Sequence, residues 1–178
     1  MPNHLFIPAL VNGRRLAISD IHGCNTSFNS LLEKIKLTLN DQLFLLGDFI
    51  NRGGDSLGVI KTVRKLQDDG YHVYFLRGNH NFYLVHAGFD FKAEKPLKMY
   101  NKMLTIRKFS PDYNKVAQKL IIHGHIRHSL KKIQNNITSD KSHFSIDNGC
   151  SAKRFTGQGN LVCLNLDTKE LIVQPNID

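Results

Sequence analysis

A short apolar run that breaks into a polar, glycine-bearing cluster recurs along the first half of the chain, and this repetition constrains the fold more than any other feature. Arg15 to Ser19 runs into Ser19-Asp20-Ile21-His22-Gly23, and Gln42 to Leu46 runs into Gly47-Asp48-Phe49-Ile50-Asn51-Arg52-Gly53. Tyr71 to Leu76 runs into Arg77-Gly78-Asn79-His80. Between the first two runs, Asn25 to Leu39 places Phe28, Leu31, Leu32 and Ile35 at helical spacing. Between the second and third, Asp55 is positioned to cap a helix with inner face Leu57, Ile60, Val63 and Leu66, ending near Gly70. Strand, helix, strand, helix, strand implies a parallel sheet. Ligands of such sheets bind in the crevice at the carboxyl ends of the strands, so the three clusters should meet there.

The second half reads differently. Two more histidine clusters follow apolar runs, Val85-His86-Ala87-Gly88 and Ile122-His123-Gly124-His125. Leu97 to Phe109 reads as helical, and Leu120 to Ile122, Phe144 to Ile146, Leu161 to Leu166 and Leu171 to Val173 as short strands, with Asp167-Thr168-Lys169 turning between the last two. The expectation is an α/β fold in one domain over residues 1–178: a mixed, two-layered β-sheet core flanked by helices.

At 178 residues and 41% hydrophobic, the chain can bury a core of its own. Neither a membrane-spanning run nor a secretory leader is read, and a cytoplasmic location is expected. Cys24, Cys150 and Cys163 are too few and too scattered for a disulfide framework and read as small buried residues. Much of the net charge of +9 falls in Lys92 to Lys108 and Lys115 to Lys132, which reads either as a solvated basic surface without a specific partner or as a field that would attract anions. Those cations are not interleaved with aromatics, so charge is all that speaks for nucleic acid, which is not expected as a partner.

The clusters bring together carboxylate, imidazole and amide oxygen, with five of the nine histidines among them. Such ligands suit Mn, Fe or Zn, and a carboxylate such as Asp48 can bridge two ions ~3.5–4 Å apart. His123, beside His125, reads as supporting rather than ligating, Arg77 as a salt-bridge partner, and His4, His72, His128 and His143 as surface or loop residues.

In order, Asp-x-His-Gly, Gly-Asp-x-x-x-Arg-Gly, Gly-Asn-His, His-Ala-Gly and Gly-His resemble the metal-dependent serine/threonine phosphoprotein phosphatase family of bacterial and phage type, related to the symmetrical diadenosine tetraphosphatases. The likeness runs from about Arg14 to Leu166 and includes Ile146-Asp147-Asn148-Gly149-Cys150. It implies a calcineurin-like metallophosphoesterase fold holding two divalent ions, with manganese favoured and Fe or Zn as alternatives. Asp20, His22 and Asp48 would hold the first ion, and Asp48, Asn79, His86 and His125 the second. Arg52 and Asn79 would bind phosphate, and His80 would act as general acid. The implied reaction is hydrolysis of phosphomonoesters, on phosphoserine or phosphothreonine proteins or small phosphoesters, by direct attack of a metal-bound water. The alternatives are a symmetrical diadenosine tetraphosphate hydrolase and a catalytically impaired descendant that binds metal or a phosphorylated partner.

The sequence also departs from the family pattern. Ser19 stands where the family has Gly. Asn51 replaces the Asp that orients the acid histidine, Asn81 a Glu, and Ile126 a Thr. Only Asn81 to Val85 separate His80 from His86, where relatives have tens of residues. Returning across a parallel sheet usually takes a dozen residues or more. The expectation is therefore that the strand Tyr83 to Val85 is lost and His86 arrives by a tight loop, or that the fold is rearranged between the third and fourth motifs.

Overall fold

The computed structural model describes residues 7–8, 10–75, 82–116, 119–139, 141–152 and 157–178. Among these residues, eight strands form two sheets: β1 (Arg15–Ile18), β2 (Gln42–Leu45), β3 (His72–Phe75), β4 (Phe82–Val85), β5 (Leu120–His123), β6 (His143–Ser145), β7 (Asn160–Asn165) and β8 (Leu171–Pro175). The first sheet has the order β3-β2-β1-β7-β8, the second β4-β5-β6. β1, β2 and β3 run parallel, β7 pairs antiparallel with β1, and β8 antiparallel with β7, so the larger sheet is mixed.

Side chains alternate faces along a strand, and the larger sheet buries both. Leu16, Ile18, Leu43 and Leu45 pack under two helices, α1 (Asn25–Lys34) and α2 (Ser56–Asp68), against Phe28, Leu31, Val59 and Val63. Ala17, Phe44 and Leu46 point the other way, into a layer shared with Leu84, Ile122 and Phe144 of the second sheet. Fully burying a side chain of this size is worth roughly 1.5–3 kcal/mol, so each added layer holds the strand ends in place. The outer face of the second sheet is covered by Phe89, Phe91 and Val116, with Met103 and Phe109 packed against them.

Several local expectations change. α1 stops at Lys34, five residues short of Leu39, and Lys36 takes a positive φ of 48°. α2 is capped by Asp55, whose carboxylate accepts the Gly58 N–H at 2.7 Å. Its buried face is Val59 and Val63, with Leu66 packed against the core, while Leu57 and Ile60 are exposed. The run Leu97 to Phe109 is helical only over α3 (Tyr100–Thr105), preceded by one tighter turn at Pro96–Lys98; Ile106 is extended. A helix that sequence reading omitted, α4 (Leu130–Thr138), is capped by Ser129 and anchored by Ile133.

The strand before His86 is not lost. β4 forms and pairs parallel with β5 along its length. The crossover requirement applies to parallel neighbours in one sheet, and β3 and β4 lie in different sheets. From Phe75 to Phe82 the chain has reach for at most about 25 Å, ample to return along a four-residue strand of ~13 Å. No helix among the described residues is long and apolar enough to cross a membrane.

Candidate metal centre

Two groups of ligand-type side chains converge where the strands end: Asp20, His22 and Asp48, and Asp48, His86 and His125, with Asp48 in both. The loops after β1 and β2 are zipped together, His22 N–H to the Asp48 carbonyl and Gly23 N–H to that of Phe49, both at 2.8 Å. Gly53 lies within this zipper, where a Cβ would come 2.5 Å from the His22 carbonyl oxygen. From the second sheet, the Gly124 N–H donates to the His86 carbonyl at 2.8 Å, and the His125 N–H reaches the Asp20 carboxylate at 3.0 Å.

Backbone strain is concentrated in the same place. Asp20, His22, Asp48, Asn51, Arg52 and His125 all have φ between 45° and 72°, in the left-handed region that side chains rarely adopt. Each such residue costs on the order of 1–3 kcal/mol and persists only where its surroundings fix it.

The ring nitrogens are oriented by carbonyls, which can only accept. Nδ1 of His86 must therefore donate to Leu46 (2.9 Å) and Nδ1 of His22 to Ile50 (3.3 Å), which leaves the lone pair on each Nε2. His22 Nε2 faces Asp48 at 3.4 Å and Asp20 at 3.9 Å. His86 Nε2 faces Asp48 at 3.6 Å and His125 Nδ1 at 3.1 Å. The first group and the His86–Asp48 pair are thus acceptor against acceptor, an arrangement that repels itself unless protons or cations lie between. Ligand bonds of ~2.0–2.2 Å would fit these separations. His125 Nε2 is buried and has no hydrogen-bond partner among the described residues.

The electrostatics agree with a centre that wants cations. Burial, and then the neighbouring Asp147 carboxylate, push the Asp20 carboxyl well above the usual range. His22 is pushed down, by burial first and then by the charge of Arg52. Arg52 also acts on His125 and on Asp147, so this exposed cation borders both groups. Asp147, which sequence reading did not assign to the site, is buried, accepts the Gly149 N–H at 2.6 Å, and is pushed up to about 6 by burial. The signal for it was present: like Asp20 and Asp48, it follows an apolar run and lies close to a glycine. His123 does not join either group. Its ring is turned away, Nδ1 lying 3.0 Å from the Gly124 carbonyl, and burial pushes it down to about 4. All three cysteines are buried thiols. Asn79, His80 and Arg77 lie outside the described residues, so the expected general acid and amide ligand are not placed.

A two-sheet core whose strand ends carry paired carboxylate and histidine groups defines the metallophosphoesterase class. A model of the calcineurin-like phosphoesterase family matches residues 13–158, and the chain belongs to that family. Among curated proteins it is 41% identical, over 98 residues, to a symmetrical bis(5'-nucleosyl)-tetraphosphatase of Buchnera aphidicola subsp. Acyrthosiphon pisum, covering 53% of this chain and 32% of that protein. It is 37% identical over 91 residues to the enzyme of the same name from Chromohalobacter salexigens, covering 51% of this chain and 31% of that one. The matches therefore span about a third of the length of these relatives. Among solved structures, a candidate diadenosine tetraphosphatase superposes over 99% of both chains with a TM-score of 0.69 at 18% identity, a likeness of fold.

Proposed function

We propose that the chain is a two-metal phosphoesterase acting on nucleoside polyphosphates, with a symmetrical dinucleoside tetraphosphate as substrate. The observation that carries the reading is Asp48, exposed at a strand end and shared by two ligand groups. Divalent ions held there, with manganese favoured and Fe or Zn as alternatives, would neutralise phosphoryl oxygens and acidify water. Asp20 and His22 would hold one ion, His86 and His125 the other, and Asp48 both. Arg52, whose guanidinium can meet two phosphate oxygens at once, would orient the phosphate. His80 and Asn79 keep the roles that the family resemblance implies, as acid and as ligand.

Two observations favour a nucleotide over a phosphorylated protein side chain. The relatives sharing the motif half are named for dinucleoside tetraphosphates. A hollow of about 360 Å³ also adjoins Asp48, His86 and His125, and its remaining walls include Phe49, Phe75 and Leu104. Phe49 and Phe75 meet edge to face at 5.3 Å. An apolar wall beside a phosphate site suits a flat base.

The test is metal analysis together with turnover in manganese on diadenosine tetraphosphate, p-nitrophenyl phosphate and a phosphoserine peptide. Two ions per chain, preference for the dinucleotide and ADP as the nucleotide product are expected. Preference for the phosphopeptide would return the assignment to protein phosphatase. One ion per chain or fewer would overturn the two-metal reading.

A further inference from the structure

Four of the chain's basic residues meet in one place outside the two ligand groups. A cleft of about 410 Å³ opens between α4, the edge strand β6 and the extended stretch after α3. Arg107 and Lys108 enter it from that stretch, Lys132 from α4 and Lys141 from the turn before β6. The described lining contains no carboxylate, and none of these four cations forms an ion pair among the described residues. Four like charges around one hollow repel each other.

The floor is polar and partly unpartnered. His143 lines the cleft, and its Nδ1 is buried with no hydrogen-bond partner among the described residues. Its ring rests 4.7 Å from that of Phe109, which fixes its direction. His128 and the buried Asn136 complete the wall. The positive field reaches these rings: His128 is pushed down by burial and by Lys132 and Lys141, His143 by burial and by Lys141. His128, a loop residue as read from sequence, and His143, at the start of β6, both line this hollow.

We propose that this cleft is a second anion-binding site, separate from the metal centre, that takes a chain of two or more phosphate groups. Its volume lies within the range of small-molecule sites, ~300–1,000 Å³. Four cations match a polyanion better than a single monoanion, and Arg107 supplies the planar fork that pairs with two phosphate oxygens while the lysines act as point charges. The assignment does not depend on which ester or anhydride the metal centre cleaves.

The test uses the full chain, treated with chelator and dialysed, and titrates tripolyphosphate calorimetrically in low salt. One saturable site per chain is expected, weakening as salt is raised. The double variant Lys132→Ala/Lys141→Ala, with its melting temperature checked, should bind at least about tenfold more weakly. Asp48→Asn should leave this binding intact. Absence of a saturable site, or equal binding by the double variant, would overturn the proposal, and so would abolition of binding by Asp48→Asn. Metal-free ATP as a second titrant separates the sources. Equal affinity means that the phosphates alone are read, and tighter binding means that the native ligand is a nucleotide.

Discussion

The Asp20 carboxylate accepts the backbone N–H of His125 at 3.0 Å, joining residues 105 positions apart in loops that leave different sheets. The contact ties the loop after β1 to the loop after β5. A ligand of one candidate ion thereby positions a ligand of the other, and neither group can shift alone.

This tie makes Gly124 a sensitive position. A Cβ there would come 2.0 Å from Asp20 Oδ2 and 2.9 Å from the Ser19 Cβ, with the Gly124 N–H still anchored to His86. Gly124→Ala is expected to move the Asp20 carboxylate and lower bound metal by at least one ion per chain, while far-ultraviolet circular dichroism stays unchanged. Full metal content in that variant would show that the loop absorbs the methyl group.

The shared carboxylate allows a simpler test. Asp48→Asn keeps the shape and removes the charge that both groups use. Metal affinity is expected to fall by more than the roughly 10–100-fold typical of losing a residue that merely supports a ligand, and turnover should be lost with it. Unchanged stoichiometry by elemental analysis would remove Asp48 from the centre.

Asp147 predicts a pH dependence in the metal-free protein. Its folded-state pKa, about 6, lies above the ordinary 3.8, so folding favours the neutral acid. Its contribution is present at low pH and is lost as pH rises through about 6. A displacement of that size is worth ~3 kcal/mol. Asp147→Asn should therefore gain stability relative to the parent between pH 4 and pH 7, seen as a melting-temperature difference that grows by roughly 6–12 °C. A difference that stays constant with pH would refute the assignment.

At the far ends of β1 and β2, Asp41 accepts hydrogen bonds from Arg14 N, Nε and Nη2 and from Thr38 N and Oγ1. Burial opposes its charge, but these donors hold the carboxyl well below the usual range. Asp41→Ala would leave the donors around a buried hollow, at a cost of about 2–4 kcal/mol in urea unfolding. Its contribution should vanish in acid, because a depressed pKa stabilises only above the unfolded value. A loss below about 1 kcal/mol at neutral pH would contradict this picture.

Much of the site was legible because each ligand follows a strand, and strand ends are fixed by burial. The apolar run from Arg15 to Ser19 reads as a strand, and Asp20 follows directly at its end. The face of α2 was legible at Val63 and Leu66 but not at Leu57 and Ile60, which carry the same apolar signal and are exposed while Val59 is buried. β4 was misjudged because the sequence does not say which sheet a strand will join. The basic cleft was invisible for a similar reason: Arg107, Lys132 and Lys141 become neighbours only once β6 and α4 have folded back.

The placement of β1 has a consequence for how the chain reaches this state. One edge of the strand is satisfied early by β2, but the other waits for β7, and Arg15 finds the Asp167 carboxylate only across a separation of 152 residues. Until that late closure, β1 presents a bare row of amides and carbonyls in the middle of what will be the larger sheet. Such long-range pairing slows folding and leaves an open strand edge able to recruit another chain. Refolding yield should accordingly fall as protein concentration rises, with β7 as the segment whose arrival ends the hazard.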